Sequence, residues 1–366
     1  VVPVDGMARA VLRAEEQARQ QQQARDKEAS DLRQSIELHH RAIITACDGN
    51  GTSDKNKLKT LRDLYYSYLM VYNKYDLSQG HATPSSISQL DDLNNFQLDL
   101  LENVLGQNSL PYRIENFKNQ LKVRCEKNHS DVFRSYSRVF KQTNVPVTFA
   151  SVSEYQDYIA KLQSIITVQQ RYLEAVELRT TIQSNTDAIA NTYGKKYRHI
   201  VDAYRDVLRT VDQVPAFTSN AESLNFIQTL SDFVQAQQLY LDHYNLLEEL
   251  SRRADSIINP RTTVFKDVSR AYRDLEPSLM PLPNFKTVAD AARYEAQLDD
   301  VRLIQEAYLQ TLRLRNTIQI LDDSLSAGRK TARTLWDGYR TLRKQADLPP
   351  SFNTVERSRA FLATLD

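Results

Sequence analysis

The stretch Ile200–Val207, IVDAYRDV, decides the fold, because its pattern returns at a fixed interval along the chain. Tyr204 is one of five tyrosines that keep step, with Tyr68, Tyr136, Tyr272 and Tyr339. A small residue precedes each: Ser67, Ser135, Ala203, Ala271 and Gly338. Four positions before each tyrosine lies Leu64, Val132, Ile200, Val268 or Leu335, and three positions after it Val71, Val139, Val207, Leu275 or Leu342. At 3.6 residues per turn those offsets share one face of a helix. A constant period of this kind marks a helical repeat array.

Working outward, each later unit opens with a proline, a phenylalanine and a capping pattern. The prolines are Pro146, Pro215, Pro283 and Pro350; the phenylalanines are Phe149, Phe217, Phe285 and Phe352. The pairs Ser151/Glu154, Ser219/Glu222 and Thr287/Asp290 have the spacing of a capping box or its Asp variant, in which a hydroxyl caps a backbone N–H and the acid reaches back. The phenylalanine, two positions before the cap, is expected to pack on the first turn in the manner of a staple. From each cap an apolar helical pattern runs for about 40 residues. Tyr172, Tyr240 and Tyr308 form one of its columns, and Leu162, Leu230 and Leu298 another. The pattern stops at Tyr193-Gly194, Asn259-Pro260 and Ala327-Gly328, which are helix-ending signals. A helix of about 17 residues with the opening tyrosine follows.

Unequal helices set the expected architecture. At 1.5 Å per residue, the long helix rises about 60 Å and the short one returns about 26 Å, so the chain advances by about 34 Å per unit. Each level then holds the end of one long helix, the short antiparallel helix and the beginning of the next long helix. The expected fold is all-α, an elongated rod of about five three-helix bundles sharing long continuous helices. The layout resembles spectrin-type rods in architecture only, with a much shorter unit and none of their sequence motifs. A tetratricopeptide array fits less well: the column tyrosines have no counterpart at half their interval, and each period has one proline loop. A stacked solenoid would require the long helix to break near its middle.

The expected divisions are 1–84, a first repeat with a polar N-terminal half-helix; 85–151, a degenerate second repeat with a kink near 106–111; 152–218, 219–286 and 287–353; and a closing half-helix at 354–366. The first helix is expected from about Ala8 to Ala46 and its partner from about Lys55 to Tyr75. The second long helix begins near Pro84 and breaks within GQNSLP (Gly106–Pro111), because glycine and proline interrupt helices. It resumes to Cys125, with a short helix over Ser130–Lys141. Residues 13–31 hold almost no large apolar side chain, as expected of a half-helix with nothing to cover. Thr354–Asp366, with Phe361 and Leu362, is expected to close the fifth bundle. The ends read as those of a complete or deliberately cut array.

Composition agrees. The chain holds 8 Gly and 11 Pro, where average usage would give about 25 and about 18. Both residues oppose helix interiors. Apolar content is 41% and the mean hydropathy is −0.54, which suits thin bundles with much helix facing water. The net charge is +1 from 47 basic and 46 acidic residues, so no broad field favours nucleic acid. No apolar run approaches the roughly 18 residues of a membrane span. Cys47 and Cys125 fall on different levels and are expected to stay unbridged.

No catalytic, cofactor or metal motif emerges. The histidines show no HExxH or Cys/His metal spacing, and no P-loop, GxGxxG or GxSxG occurs. DGNGTSD (Asp48–Asp54) resembles a calcium loop at Asp48, Asn50 and Thr52. It puts Ser53 at the obligatory glycine and Lys59 at the bidentate acid, and therefore reads as a polar turn. Asn50-Gly-Thr52 and Asn128-His-Ser130 match glycosylation sequons in expected loops. The tyrosine column reads as core rings with hydroxyls at the rim. The recurring acids and bases predict ion pairs Asp187–Arg198, Asp255–Lys266 and Asp323–Arg333 across the hairpins. Gln20–Gln23 sit in a solvated helix with a weak seam of Met7, Val11, Ala14 and Ala18. The expected function is non-catalytic: a spacer, scaffold or adhesive stalk that meets protein partners laterally. The alternative is a binding module holding a peptide or small ligand in an inter-bundle groove or at the kink. No cofactor, metal or nucleic-acid partner is expected.

Overall fold

The computed structural model describes residues 4–49, 52–78, 80–126, 128–142, 145–259, 265–327 and 333–365. Among them the only regular structure is helical. The helices are α1 (Val4–Cys47), α2 (Lys55–Tyr72), α3 (Pro84–Leu100), α4 (Leu110–Cys125), α5 (Ser130–Gln142) and α6 (Val152–Tyr193), followed by α7 (Arg198–Val211), α8 (Asn220–Ile258), α9 (Lys266–Leu279), α10 (Val288–Ala327), α11 (Arg333–Ala346) and α12 (Val355–Leu362). A π-helical turn, Leu101–Leu105, ends α3. Long and short helices alternate from α6 onward, as the periodicity predicts. The stops at Asn259-Pro260 and Ala327-Gly328 agree with the ends of α8 and α10, although Pro260 and Gly328 lie outside the described residues.

The capping pairs form. Ser151 Oγ accepts from the Glu154 N–H at 3.2 Å, while the Glu154 carboxylate accepts from the Ala150 N–H at 2.7 Å. Ser219 and Glu222 repeat this, the carboxylate accepting from the Thr218 and Ser219 N–H groups at 2.9 and 3.3 Å. Thr287 Oγ1 accepts from the Asp290 N–H at 3.2 Å. These bonds satisfy donors that a helix start leaves open.

Two compact units are present: Val1–Val176 with Val214–Asn225, and Glu177–Gln213 with Phe226–Asp366. In the first, α1 lies along α3, and the core gathers Ile36, Ile43, Leu64, Leu93, Phe96 and Tyr155. In the second, Ile257, Val268, Tyr272, Tyr308 and Phe352 share a core. Each loop phenylalanine packs against a neighbouring ring. Phe149 meets Tyr158, Phe285 meets Tyr294 and Phe352 meets Phe361, with ring centroids 6.0, 5.5 and 5.4 Å apart. Tyr172, Tyr240 and Tyr308 meet Phe217, Phe285 and Phe352 with ring centroids 4.2, 4.0 and 4.4 Å apart.

Three expectations fail. First, the predicted ion pairs are absent among the described residues. Asp187 and Asp323 accept from Gln183 and Gln319 on their own helices at 3.1 and 3.0 Å, and Arg198 turns to Asp202 at 3.8 Å. A partner one turn away is reached without ordering two long side chains across a gap. Second, the hydroxyls of Tyr68, Tyr136, Tyr204 and Tyr272 are bonded to buried glutamines inside the core, not at its rim. Third, α12 does not close the last level: Leu335 and Leu342 are exposed. Helix α12 ends at Leu362. No disulfide joins Cys47 and Cys125.

Candidate functional site

The most repetitive polar arrangement is a buried glutamine bonded to each of the first four column tyrosines. Nε2 of Gln97, Gln169, Gln237 and Gln305 donates to the hydroxyl of Tyr68, Tyr136, Tyr204 and Tyr272 at 2.7, 2.7, 2.6 and 2.7 Å. In the last three, the same amide also donates to the carbonyl of Ile114, Ile182 or Leu250 at 2.9, 3.0 and 3.0 Å. Three helical segments meet at that point: a long helix through its carbonyl, the short helix through its tyrosine, and the next long helix through its glutamine. At Tyr68 the third partner is His40, whose Nδ1 lies 2.7 Å from the hydroxyl. Burial pushes the Tyr136 and Tyr272 phenols up to about 12, so they stay neutral donors and acceptors. The signal was present in sequence, since Gln169, Gln237 and Gln305 keep the same step as the tyrosines.

This bond aligns the units and exposes where they differ. Each glutamine leads, further along its own long helix, to the carbonyl position of the next level. The intervals Gln169–Ile182, Gln237–Leu250 and Gln305–Ile318 are equal, but Gln97–Ile114 is longer. The excess amounts to about one helical turn. It forms the π turn Leu101–Leu105 and the break before α4. Likewise the intervals Ile182–Tyr204 and Leu250–Tyr272 are equal, whereas Ile36–Tyr68 is longer. Here the excess is roughly three helical turns. It lengthens the α1–α2 turn and the start of α2.

Both departures border one cavity of about 910 Å³ in the first unit. The α1–α2 turn contributes Gly49 and Thr52, α2 contributes Lys57 and Leu61, and the break contributes Gly106 and Asn108. Tyr112 and Tyr158 add aromatic surface. Asp54 caps α2 by accepting from the Asn56 and Lys57 N–H groups at 2.9 and 3.3 Å. Asp54, inside the stretch read as a calcium loop, thus acts as a helix cap, and Asn50 lies outside the described residues. Gly49 has φ +68°, a left-handed conformation suited to glycine. Glu115, also on the wall, accepts from Lys118 at 2.9 Å. Burial raises the Tyr158 phenol to about 12. The wall mixes aliphatic, amide and hydroxyl groups, a composition that suits a small ligand or a peptide segment held without chemistry. No group of three or more His, Cys, Asp or Glu side chains able to hold a metal occurs among the described residues.

No protein-family model, curated protein or solved structure matches this chain. No described helix is long and apolar enough to cross a membrane.

Proposed function

We propose that the chain is a non-catalytic structural or interaction protein, a helical spacer, scaffold or adhesive stalk whose lateral surface meets protein partners. Its repeated unit is a three-helix bundle, and successive bundles share long helices in a spectrin-like layout. The observation that carries this reading is the buried glutamine–tyrosine pair, formed four times with the same atoms and nearly the same distances. A polar group repeated at level after level acts as a register device: buried donors and acceptors tolerate one alignment and penalise others. A reacting group has no reason to recur in this way.

At about 34 Å of advance per unit, five units span about 170 Å. Small-angle scattering tests the reading. A maximum dimension near that length supports it, and one below about 90 Å overturns it, since tightly stacked repeats are far shorter.

The cavity supports a second role, ligand or peptide binding in the first unit. Both departures from the repeat lie against it, and π turns often accompany functional positions. Screening small polar fragments and short peptides by NMR, with Leu61→Trp as a filled control, tests this role. Saturable shifts lost in the variant support it; no saturable shift, or shifts unchanged by the variant, refutes it.

A further inference from the structure

A cavity of about 340 Å³ opens in the first unit at the level of Tyr136. Tyr136 and Phe140 of α5, with Ile165 and Val168 of α6, form part of its wall. It shares no lining residue with the larger cavity beside the π turn.

Two other levels hold a phenylalanine ring at the matching place. Phe96 directly precedes Gln97 and stacks on Tyr68, with ring centroids 6.1 Å apart. Phe233 lies one helical turn before Gln237 and stacks on Tyr204 at 6.2 Å. Before Gln169 those two positions carry Val168 and Ile165, both on the cavity wall. The rings that Tyr136 does meet, Phe133, Phe140 and Tyr172, are tilted or edge-on to it. Before Gln305 the same positions hold Ile304 and Val301, and both are buried, whereas Ile165 stays half-buried. The Tyr136 level therefore has an opening where an aromatic ring would stack.

Two polar groups define the rest of a fitting ligand. Gln169 lines the cavity and is only 1% exposed. Its amide donates to the Ile114 carbonyl and the Tyr136 hydroxyl at 2.9 and 2.7 Å, while Oε1 has no partner among the described residues. A buried acceptor without a donor is costly, and a ligand that donates to it recovers that cost. Gln97 and Gln305 leave the same atom unmet, but Gln169 has this opening beside it. Lys161, exposed, is the one charged residue on the wall among the described residues. Apolar and aromatic walls with a few polar groups are the usual make-up of a small-molecule site.

We propose that this cavity binds a small aromatic acid whose ring carries one hydrogen-bond donor. The ring stacks on Tyr136 as Phe233 stacks on Tyr204. A phenol or indole donor reaches Gln169 Oε1, and the carboxylate meets Lys161 at the surface.

Calorimetric titration of the full chain with 4-hydroxyphenylpropionate, phenylpropionate and 4-ethylphenol tests the assignment. The hydroxylated acid should bind saturably in the millimolar range or tighter, as its size allows. Phenylpropionate lacks the donor and should bind about 3- to 10-fold more weakly. Lys161→Gln should weaken the hydroxylated acid about 2- to 5-fold, the worth of an exposed ion pair, and leave 4-ethylphenol unchanged. Ile165→Phe copies Phe233 and should abolish binding while circular dichroism stays unchanged. Val168→Phe, which copies Phe96, gives the same readout if Ile165→Phe does not fold. Leu61→Trp, which fills the larger cavity, should leave binding as it is. No saturable binding, equal binding of phenylpropionate, or binding indifferent to the filling variants overturns the proposal. Loss of binding with Leu61→Trp also overturns it, by moving the ligand to the larger cavity.

Discussion

Gln237 gives both amide hydrogens to neighbours from other helical segments, one to the Tyr204 hydroxyl at 2.6 Å and one to the Ile182 carbonyl at 3.0 Å. Its Oε1 accepts from Asn185 Nδ2 at 3.1 Å, whereas Oε1 of Gln97, Gln169 and Gln305 has no partner among the described residues. The Gln237 amide is thus the most completely satisfied of the four. Gln237→Leu should cost about 1–3 kcal/mol, because a buried phenol and carbonyl lose a donor with no water to replace it. Tyr204→Phe should cost about 1 kcal/mol, and the double variant clearly less than the sum, since both changes remove the same bond. Urea unfolding of the three variants measures the coupling. Strict additivity would show that the two side chains do not act as a pair.

The break between α3 and α4 depends on one glycine. A Cβ at Gly106 would lie 2.9 Å from the Glu102 carbonyl oxygen and 3.1 Å from that of Leu101. Both are backbone atoms of the π turn and cannot swing away. Gly106→Ala should therefore destabilise the first unit by about 1–3 kcal/mol, the usual cost of overpacking. Gly80→Ala is the control, because a Cβ there meets nothing within 4 Å, and its effect should stay within about 0.5 kcal/mol. Thermal unfolding of the pair decides. Equal effects would mean that the π turn relaxes freely.

The burial of the tyrosine rings was legible in the sequence, because Ile200, Tyr204 and Val207 stand at offsets that an apolar helical template recognises. The glutamines share that period, but their role was not legible. Gln237 lies on the same inward stripe as Phe233 and Tyr240, but a polar side chain there contradicts the template until its tyrosine partner is known. The kink was foreseen from Gly106 and Pro111, because both residues oppose helix. That it faces the α1–α2 turn across a shared cavity was not, since the meeting depends on how α1 lies along α3. The predicted pair Asp187–Arg198 failed for a related reason. Counting heights across a hairpin ignores partners within one turn, and Gln183 and Asp202 are those partners.

His243 makes the second unit sensitive to acid. Its ring is buried against Phe285 and Tyr294 at 5.9 and 5.5 Å, and its Nδ1 has no hydrogen-bond partner among the described residues. Burial lowers its pKa below the ordinary 6.5, against the opposing pull of Glu295 and Asp242. The unfolded chain therefore takes up the proton first as pH falls. The contribution is fully present above about 6.5 and is lost as pH drops from there through the lowered folded value. His40, lowered by burial in the first unit, acts with the same sign. The melting temperature should fall between about pH 7 and pH 5, and His243→Gln should flatten part of that slope. A variant with the unchanged slope would assign the acid sensitivity elsewhere.

Tyr272 and Tyr339 occupy the same column position and should answer substitution very differently. Tyr272 is buried in the core with Tyr308, ring centroids 5.1 Å apart, and its hydroxyl accepts from Gln305. Tyr272→Ala removes a filled ring and leaves Gln305 with an unmet N–H, so a loss of about 3–5 kcal/mol is expected. Tyr339 is half-buried beside exposed Leu335 and Leu342, and its hydroxyl meets no glutamine. Tyr339→Ala should cost less than about 1 kcal/mol, because little surface is returned to water and no donor is stranded. Thermal unfolding of the isolated chain compares the two. A Tyr339→Ala loss as large as that of Tyr272→Ala would mean that the α11 stripe is already covered in solution.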